Sequence, residues 1–386
     1  MLPQRRKPLH RVGEFAVSFQ PRYASSESPD PVEAVAQFAA QIGHDDVETI
    51  LFFCSPDYDL EVLGRELKNT FSCPCIGCTS SGHIGTEGFQ HSGLLGLGLS
   101  RGFHARAFII HPLLEYTSII TNIAETIRRD SEERPNLHRF GLLLVDGLSM
   151  AEERLVANLY QQIGNVPLIG GSAGDDLRFE KSFIYDGDGH FISDAAVFAV
   201  IETSSPVATF KIQHFVPSDV ELVITEADAE KRLIMEINGE PAAQMYAESL
   251  GLTVDELTPT VFSRNPLVLS FGDEPYVRSI QKMNDDLSLT CYCAIEEGLI
   301  VSIGKAEDPI QTFSQAFEKV HETIPNPAVI IGCDCILRRL QFEKEGLEQQ
   351  IGEIMVQNRV VGFSTYGEQY NGLHVNQTFT GVAIGG

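Results

Sequence analysis

Residues 360–384 read VVGFSTYGEQYNGLHVNQTFTGVAI. An apolar run enters the stretch. Ser364 and Thr365 follow a glycine, then come Gly367 and Glu368, a loop to Asn376 and a closing apolar strand. The same grammar occurs twice more. CIGCTSSGHIGTEGFQHSGLLGLGL (75–99) sets Gly77, Thr79, Ser80 and Gly82 between an apolar run and a strand. PLIGGSAGDDLRFEKSFIYDGDGHFISDAAVFAVI (167–201) sets Gly170, Ser172, Gly174 and Asp175 before two strand-like segments. A pattern that recurs in this way marks the architectural unit of a chain.

Upstream of each motif lie a short apolar run and a helical stretch. ETILFFCS (48–55) is followed by a helix over 57–69, FGLLLVDGL by one over 150–163, and AVIIGCDC by a long helix over 336–357. Each unit therefore reads strand, helix, strand, glycine loop, outgoing strands. Strands alternating with helices predict a parallel βαβ core, and the outgoing hairpins add antiparallel strands. The fold class is α/β, with repeated strand-helix-strand units and mixed sheets in two halves.

Ahead of the first unit, residues 12–20 alternate as a strand and 24–30 are polar turn material. Asp30 then caps a helix with Pro31 at its first position and Glu33 three residues on, ending near Gly43. Between the second and third units, 207–225 is extended, and Asn238-Gly239 makes a turn before a helix opened by Pro241 and ended near Gly251. Strand-like stretches follow at 267–272, 276–281, 288–295 and 298–303, and Asp308-Pro309 opens a helix over 309–323. The boundary falls near Ser204-Ser205-Pro206, giving domains 12–205 and 206–386.

A formal net charge of −25 argues against wrapping nucleic acid or lying on an anionic membrane. No window is apolar enough to span a bilayer, and the basic start MLPQRRKPLHRVGEFAVSFQ lacks the apolar core of a signal peptide; the expected location is the cytoplasm. Eight cysteines there predict free thiols or metal ligands, not a disulfide framework.

A strand running into glycines and hydroxyls builds a backbone nest whose N–H groups and Ser/Thr oxygens suit a carboxylate or phosphate. The competing reading is a set of tight crossovers beside a packed sheet. The loops are not a dinucleotide fingerprint: GLGLSRG (96–102) comes nearest but lies along a strand.

GCTSSGHIGTEG, LIGGSAGDDLRFEKSFIYDG, VITEADAEKRLIMEINGEPAAQMYAESLG and GFSTYGEQYNGLHVNQTFTG together resemble the FIST family, across both its amino-terminal and carboxy-terminal halves. The resemblance implies a bacterial sensory-input module that binds a small ligand, relays to a signalling partner and carries no chemistry of its own. Amino acids and similar metabolites are the family's proposed ligands. One branch comprises haem-containing nitric-oxide sensors acting on histidine kinases, and KIQHFVPSD before VITEAD is closer to that branch. The leading expectation is thus haem-based nitric-oxide sensing upstream of a histidine kinase; the alternatives are an amino-acid-like metabolite sensor, an enzyme with a thiol or hydroxyl nucleophile, and a scaffold.

Haem needs an apolar slot and an axial His or Cys. His214, flanked by Ile212, Phe215 and Val216 at the junction of the halves, is the first candidate. His83, closing the first glycine motif, and His374, next to Asn376, are the others; each competes with a histidine simply packed in a core. No CxxCH attachment is present, so any haem would be non-covalent. Cys73, Cys75 and Cys78, Cys291/Cys293 and Cys333/Cys335 lie in apolar runs and read as buried core or as a redox or metal cluster without zinc-finger spacing. Arg278, with Asp273, is placed to line a ligand site, its fork suited to a carboxylate. The ligand-binding set is therefore Gly77, Thr79, Ser80, Gly82, Gly170, Ser172, Asp175, Arg278, Ser364, Thr365, Glu368 and Asn376. No GxSxG, HExxH or P-loop is present, so no catalytic residue is assigned.

Overall fold

The computed structural model describes residues 19–43, 46–272 and 274–386. Among them, the strands form three six-stranded sheets and one of eight strands. The expected strand over 12–20 and Asp273 lie largely or wholly outside the described residues; Phe19 and Gln20 are in no strand, and the first described strand, Arg22–Ser26, occupies part of the stretch read as turn.

The three glycine motifs belong to three units of one design. In the first, Arg22–Ser26 opens, the helix Pro31–Ile42 follows, Val47–Cys54 and Cys75–Thr79 pair in parallel around the helix Leu60–Thr70, and Leu94–Ser100 closes. The second repeats this with Phe103–Ile110, Tyr116–Glu133, His138–Asp146, Glu152–Ile163, Leu168–Ala173 and Ala196–Thr203. The third uses Val207–Ile212, Pro309–Thr323, Pro327–Cys335, Val360–Thr365 and Phe379–Gly385. Its connecting helix is not continuous over 336–357. It breaks into Ile336–Glu345 and Glu348–Gln357 at Gly346, whose left-handed φ of 70° ends the first segment.

Each glycine loop then throws its hairpin onto another unit's sheet. The hairpin His83–Gly85/Gly88–Gln90 extends the third sheet, Ile184–Tyr185/Phe191–Ile192 extends the first, and Glu368–Tyr370/Leu373–Val375 extends the second. The exchange is cyclic, so the three units close into a ring. Strands buried on both faces read as continuous apolar runs. Their inner faces meet in one common core that contains Phe53, Leu144, Ile169, Ile331, Phe363 and Val382, with Phe53 and Phe363 stacked at 4.3 Å across two units.

Residues 215–306 are an insertion into the third unit. They fold into the eight-stranded sheet with the helices Ala242–Ser249 and Pro259–Arg264 and a core of their own around Ile224, Tyr246, Phe262 and Leu289. The chain crosses between ring and insertion twice, after Ile212 and after Ala306. No described helix is long and apolar enough to cross a membrane.

Candidate ligand-binding site

The structure brings the three glycine loops together at the ring's centre, where their donors are spent on one another. Ser364 N–H donates to Gly82 O (2.8 Å) and Ser81 N–H to Ser364 O (3.2 Å). Ser172 N–H reaches Gly367 O (2.8 Å) and Thr365 Oγ1 (2.9 Å), and Gly174 N–H reaches Thr79 O (3.1 Å). Thr79 Oγ1 accepts from Phe183 N–H, and Ser80 N–H donates to Cys54 O. The expected open nests are therefore inter-unit fasteners. Gly77 and Gly170 lie against the backbone of Phe52 and Leu143, and a Cβ on Gly82 would overlap Arg339. Asp175 also turns inward. It accepts from the backbone N–H groups of Phe179, Glu180 and Lys181 and from the Tyr366 hydroxyl. Burial works against its charge, but these four donors outweigh it and hold its pKa below the usual carboxylate range.

A second grouping of expected residues, Arg278, His374 and Asn376, is different. It lies on the seam where the insertion meets the hairpin Glu368–Tyr370/Leu373–Val375 and the start of the helix Glu152–Ile163. Asn376 is fully buried, and neither its Oδ1 nor its Nδ2 has a hydrogen-bond partner. His374 is 3% exposed; its Nδ1 faces Gln369 Nε2 at 3.3 Å, and its Nε2 is unpartnered. Gly367 holds these two side chains close: a Cβ there would overlap His374 Cε1 and stand 2.6 Å from its Nε2 and 3.2 Å from Asn376 Nδ2. From the insertion side, Arg278 extends Nη1 to the carbonyls of His374 and Val277, both at 3.4 Å. Among the described residues it has no carboxylate partner, and its Nε and the neighbouring Ser279 Oγ are buried and unbonded. Buried polar groups without partners are rare, and each costs about 1–3 kcal/mol.

Four more residues complete the seam: Arg232, Glu152 and Glu153, which the sequence did not single out, and Cys293, read there as core or as part of a redox or metal cluster. Arg232 Nη2 joins Glu152 Oε2 and Glu153 Oε2, both at 2.7 Å, and its Nη1 donates to Tyr292 O. Glu153 Oε1 accepts from Ala294 N–H at 2.6 Å, which ties helix to insertion. Burial pushes the Glu152 carboxyl up to about 7 against the pull of Arg232. Burial also disfavours the Glu153 charge, but His374 and Arg232 outweigh it and lower its pKa. Burial, aided by Arg232 and Arg278 and opposed by Glu153, lowers His374 to about 4, so the ring is neutral at pH 7 and its free nitrogen is available to donate or accept. The fourth, Cys293, feels the fields of Arg278, Arg232 and Glu153, yet burial still raises its thiol to about 11. Nothing in the sequence announced the Arg232–Glu152 pair, whose members are 80 residues apart.

Glu368, on the hairpin that extends the second sheet, and Ser364, on the third unit's strand Val360–Thr365, are both fully buried. Glu368 Oε2 accepts from Thr378 N–H and Oγ1, its Oε1 is unpartnered, and burial raises its pKa. Ser364 Oγ is likewise buried and unpartnered, whereas Thr365 Oγ1 is used up locally by Gly367 and Ser172.

The three histidines expected for haem differ in what they leave free: both ring nitrogens of His83 and Nε2 of His374 are unpartnered, whereas His214 has neither nitrogen free. His214 is fully buried, with Nε2 on Gln341 Oε1 and Nδ1 on Arg338 Nη1, both at 3.0 Å, and its ring packs on Phe215. Burial and Arg338 lower its pKa to about 3. His83 is fully buried beside Arg339, and burial with that charge also lowers it to about 3. His374 faces Asn376 and charged groups instead of an apolar slot. Of the eight cysteines, all are free thiols and all but Cys73 are buried, consistent with core packing.

A ring of three α/β units that buries unpaired polar groups against an inserted unit has the build of a binding protein. The FIST N domain model matches residues 48–240 and the FIST C domain model residues 242–371. The chain belongs to the FIST family, whose domains are generally sensory, non-catalytic modules of signal transduction that bind small ligands. It is also similar to the uncharacterized protein MJ1623 of Methanocaldococcus jannaschii, at 24% identity over 349 residues, covering 80% of this chain and 67% of that protein.

Proposed function

We propose that this chain is a non-catalytic sensor that takes a small amino-acid-like carboxylate at the seam and relays its presence to a signalling partner. The supporting observation is Asn376: a fully buried amide with all its hydrogen-bonding capacity unspent, beside the free Nε2 of His374 and near an arginine that has no carboxylate partner among the described residues. A carboxylate on the Arg278 fork would satisfy the charge bidentately. The Asn376 amide and His374 Nε2 would then read the polar groups next to it, and Glu153 is the acidic group closest in influence to His374 for a ligand ammonium. Burial raises the thiols of Cys293, Cys333 and Cys335, which disfavours each of these as a nucleophile. His214, the first haem candidate, offers no free nitrogen, because both of its ring nitrogens are engaged.

The test is a thermal-shift and calorimetric panel of amino acids and small carboxylates on the wild type, Arg278→Gln and Asn376→Ala. At least one carboxylate is expected to raise the melting temperature. Its affinity should fall at least tenfold in both variants, about 1.4 kcal/mol or more. Binding that survives both substitutions unchanged would place the ligand elsewhere.

A further inference from the structure

The cyclic design gives the ring three equivalent edge strands, and an unpaired edge invites another chain unless it is blocked. The first edge, Arg22–Ser26, is blocked by a side chain that imitates a strand. The Gln41 amide accepts from Ser25 N–H (3.2 Å) and donates to Ser25 O (2.7 Å), and Arg22 Nη1 reaches back to Ile42 O. The second, Phe103–Ile110, is guarded by charge. His104 faces Glu48, and Arg106 pairs with Asp130, which also meets Arg134.

The third edge, Val207–Ile212, has neither device. Its sequence is VATFKI, and its one charge is turned aside: Lys211 Nζ donates to Pro275 O and sits 4.0 Å over the Tyr276 ring. It pairs with Phe379–Gly385 on one side, and no described strand pairs with it on the other. A groove of about 430 Å³ runs along that free side, between the strand and the helix Pro309–Thr323. Every residue from Ala208 to Gln213 lines it. Side chains alternate between the faces of a strand, so a wall made of consecutive residues is a wall of backbone. The opposite wall is Thr312, Gln315, Ala316 and Lys319, and Phe210 and Val320 also contribute apolar surface.

We propose that this groove binds an extended peptide segment of a partner protein, which adds to the third sheet as a further strand. Main-chain bonds to the 208–212 edge supply affinity, and alternate apolar side chains of the peptide settle on the Phe210–Ala316–Val320 surface. The helix Pro309–Thr323 walls the far side of the groove. This favours a lone segment over the edge of a second copy, which would bring its own helix. The groove ends at Gln213 and Glu307, beside the two points where the chain crosses to the insertion, so a bound strand touches the joint between ring and insertion.

The experiment selects a displayed random-heptapeptide library on the full chain, with Ala316→Arg and the surface variant Thr312→Arg as counter-targets after each is shown to melt like the wild type. Enriched peptides are expected to alternate apolar residues. They should bind either variant at least tenfold more weakly, and should lose at least tenfold when alternate amides are N-methylated. Three results would overturn the proposal: no enrichment on the wild type over the variants, enriched peptides indifferent to N-methylation, or concentration-dependent dimerisation that Thr312→Arg abolishes.

Discussion

Single atoms decide what this protein can hold. Gly367 has to be a glycine because any Cβ there would collide with His374. Gly367→Ala should therefore cost about 1–3 kcal/mol in urea unfolding as the overpacked site shifts, and should weaken ligand binding in parallel; a variant with wild-type values in both would show that the two side chains are not held there. The buried histidines set the acid response. His83, His214 and His374 have folded pKa values lowered to about 3, 3 and 4, whereas an unfolded histidine titrates near 6.5. Below about pH 6.5 the unfolded chain takes up protons that the folded one refuses, so their stabilisation is present above that pH and lost as pH falls. Asp334, raised to about 6 by burial, works in the opposite sense, its stabilisation being lost as pH rises through 6. Melting curves between pH 7 and 4 should fall less steeply in His374→Gln and more steeply in Asp334→Asn; unchanged slopes would refute the assignment. At this scale the sequence was half legible. His374 and Asn376 stood out within a glycine motif, and Arg278 stood out by its fork alone, in EPYVRSI between the second and third motifs. Arg232 and Glu152 did not, because a pair 80 residues apart leaves no local pattern.

Elements were read best where their caps and periods are local. Asp30-Pro31 and Asp308-Pro309 start helices at Pro31 and Pro309 as expected, each cap aspartate accepting from the first turn. The strand Phe103–Ile110 and the helix Tyr116–Glu133 carried no reading: an edge strand with His104 and Arg106 lacks a clean apolar face, and the helix is polar over most of its surface. The break at Gly346 was masked because helical residues continue on both sides. The glycine loops were found but their use was not, since a nest and a fastener share one composition and only the hairpin exchange tells them apart. Tyr366 tests that fastening. Its hydroxyl donates to Asp175 Oδ1 and accepts from Leu177 N–H at 2.7 Å, a link between the third and second units. Tyr366→Phe should lose about 1–3 kcal/mol by leaving the loop's donors unpaired, read as a lower urea midpoint at constant slope; an unchanged midpoint would mean that the loops are held by packing alone.

At the scale of the whole molecule, the repeats announced three units but not their cyclic exchange of hairpins, which is a long-range choice that no local signal encodes. The ring supplies a rigid frame, and the insertion, joined to it by two crossings, supplies Arg278 and Arg232. A ligand that touches Arg278 on one side and His374 and Asn376 on the other stabilises their closed arrangement only by its differential affinity for it. In the proposed mode of action, the signal is a change in how the insertion sits on the ring. The most direct measurement is a titration of histidine-¹⁵N-labelled protein with the best carboxylate from the panel, followed by NMR of the ring nitrogens and assigned with His374→Gln. The account predicts that His374 Nε2 moves from a free neutral nitrogen to a hydrogen-bonded one at saturation while His214 and His83 stay put. Binding that leaves His374 unmoved, or that shifts His214 instead, would contradict it.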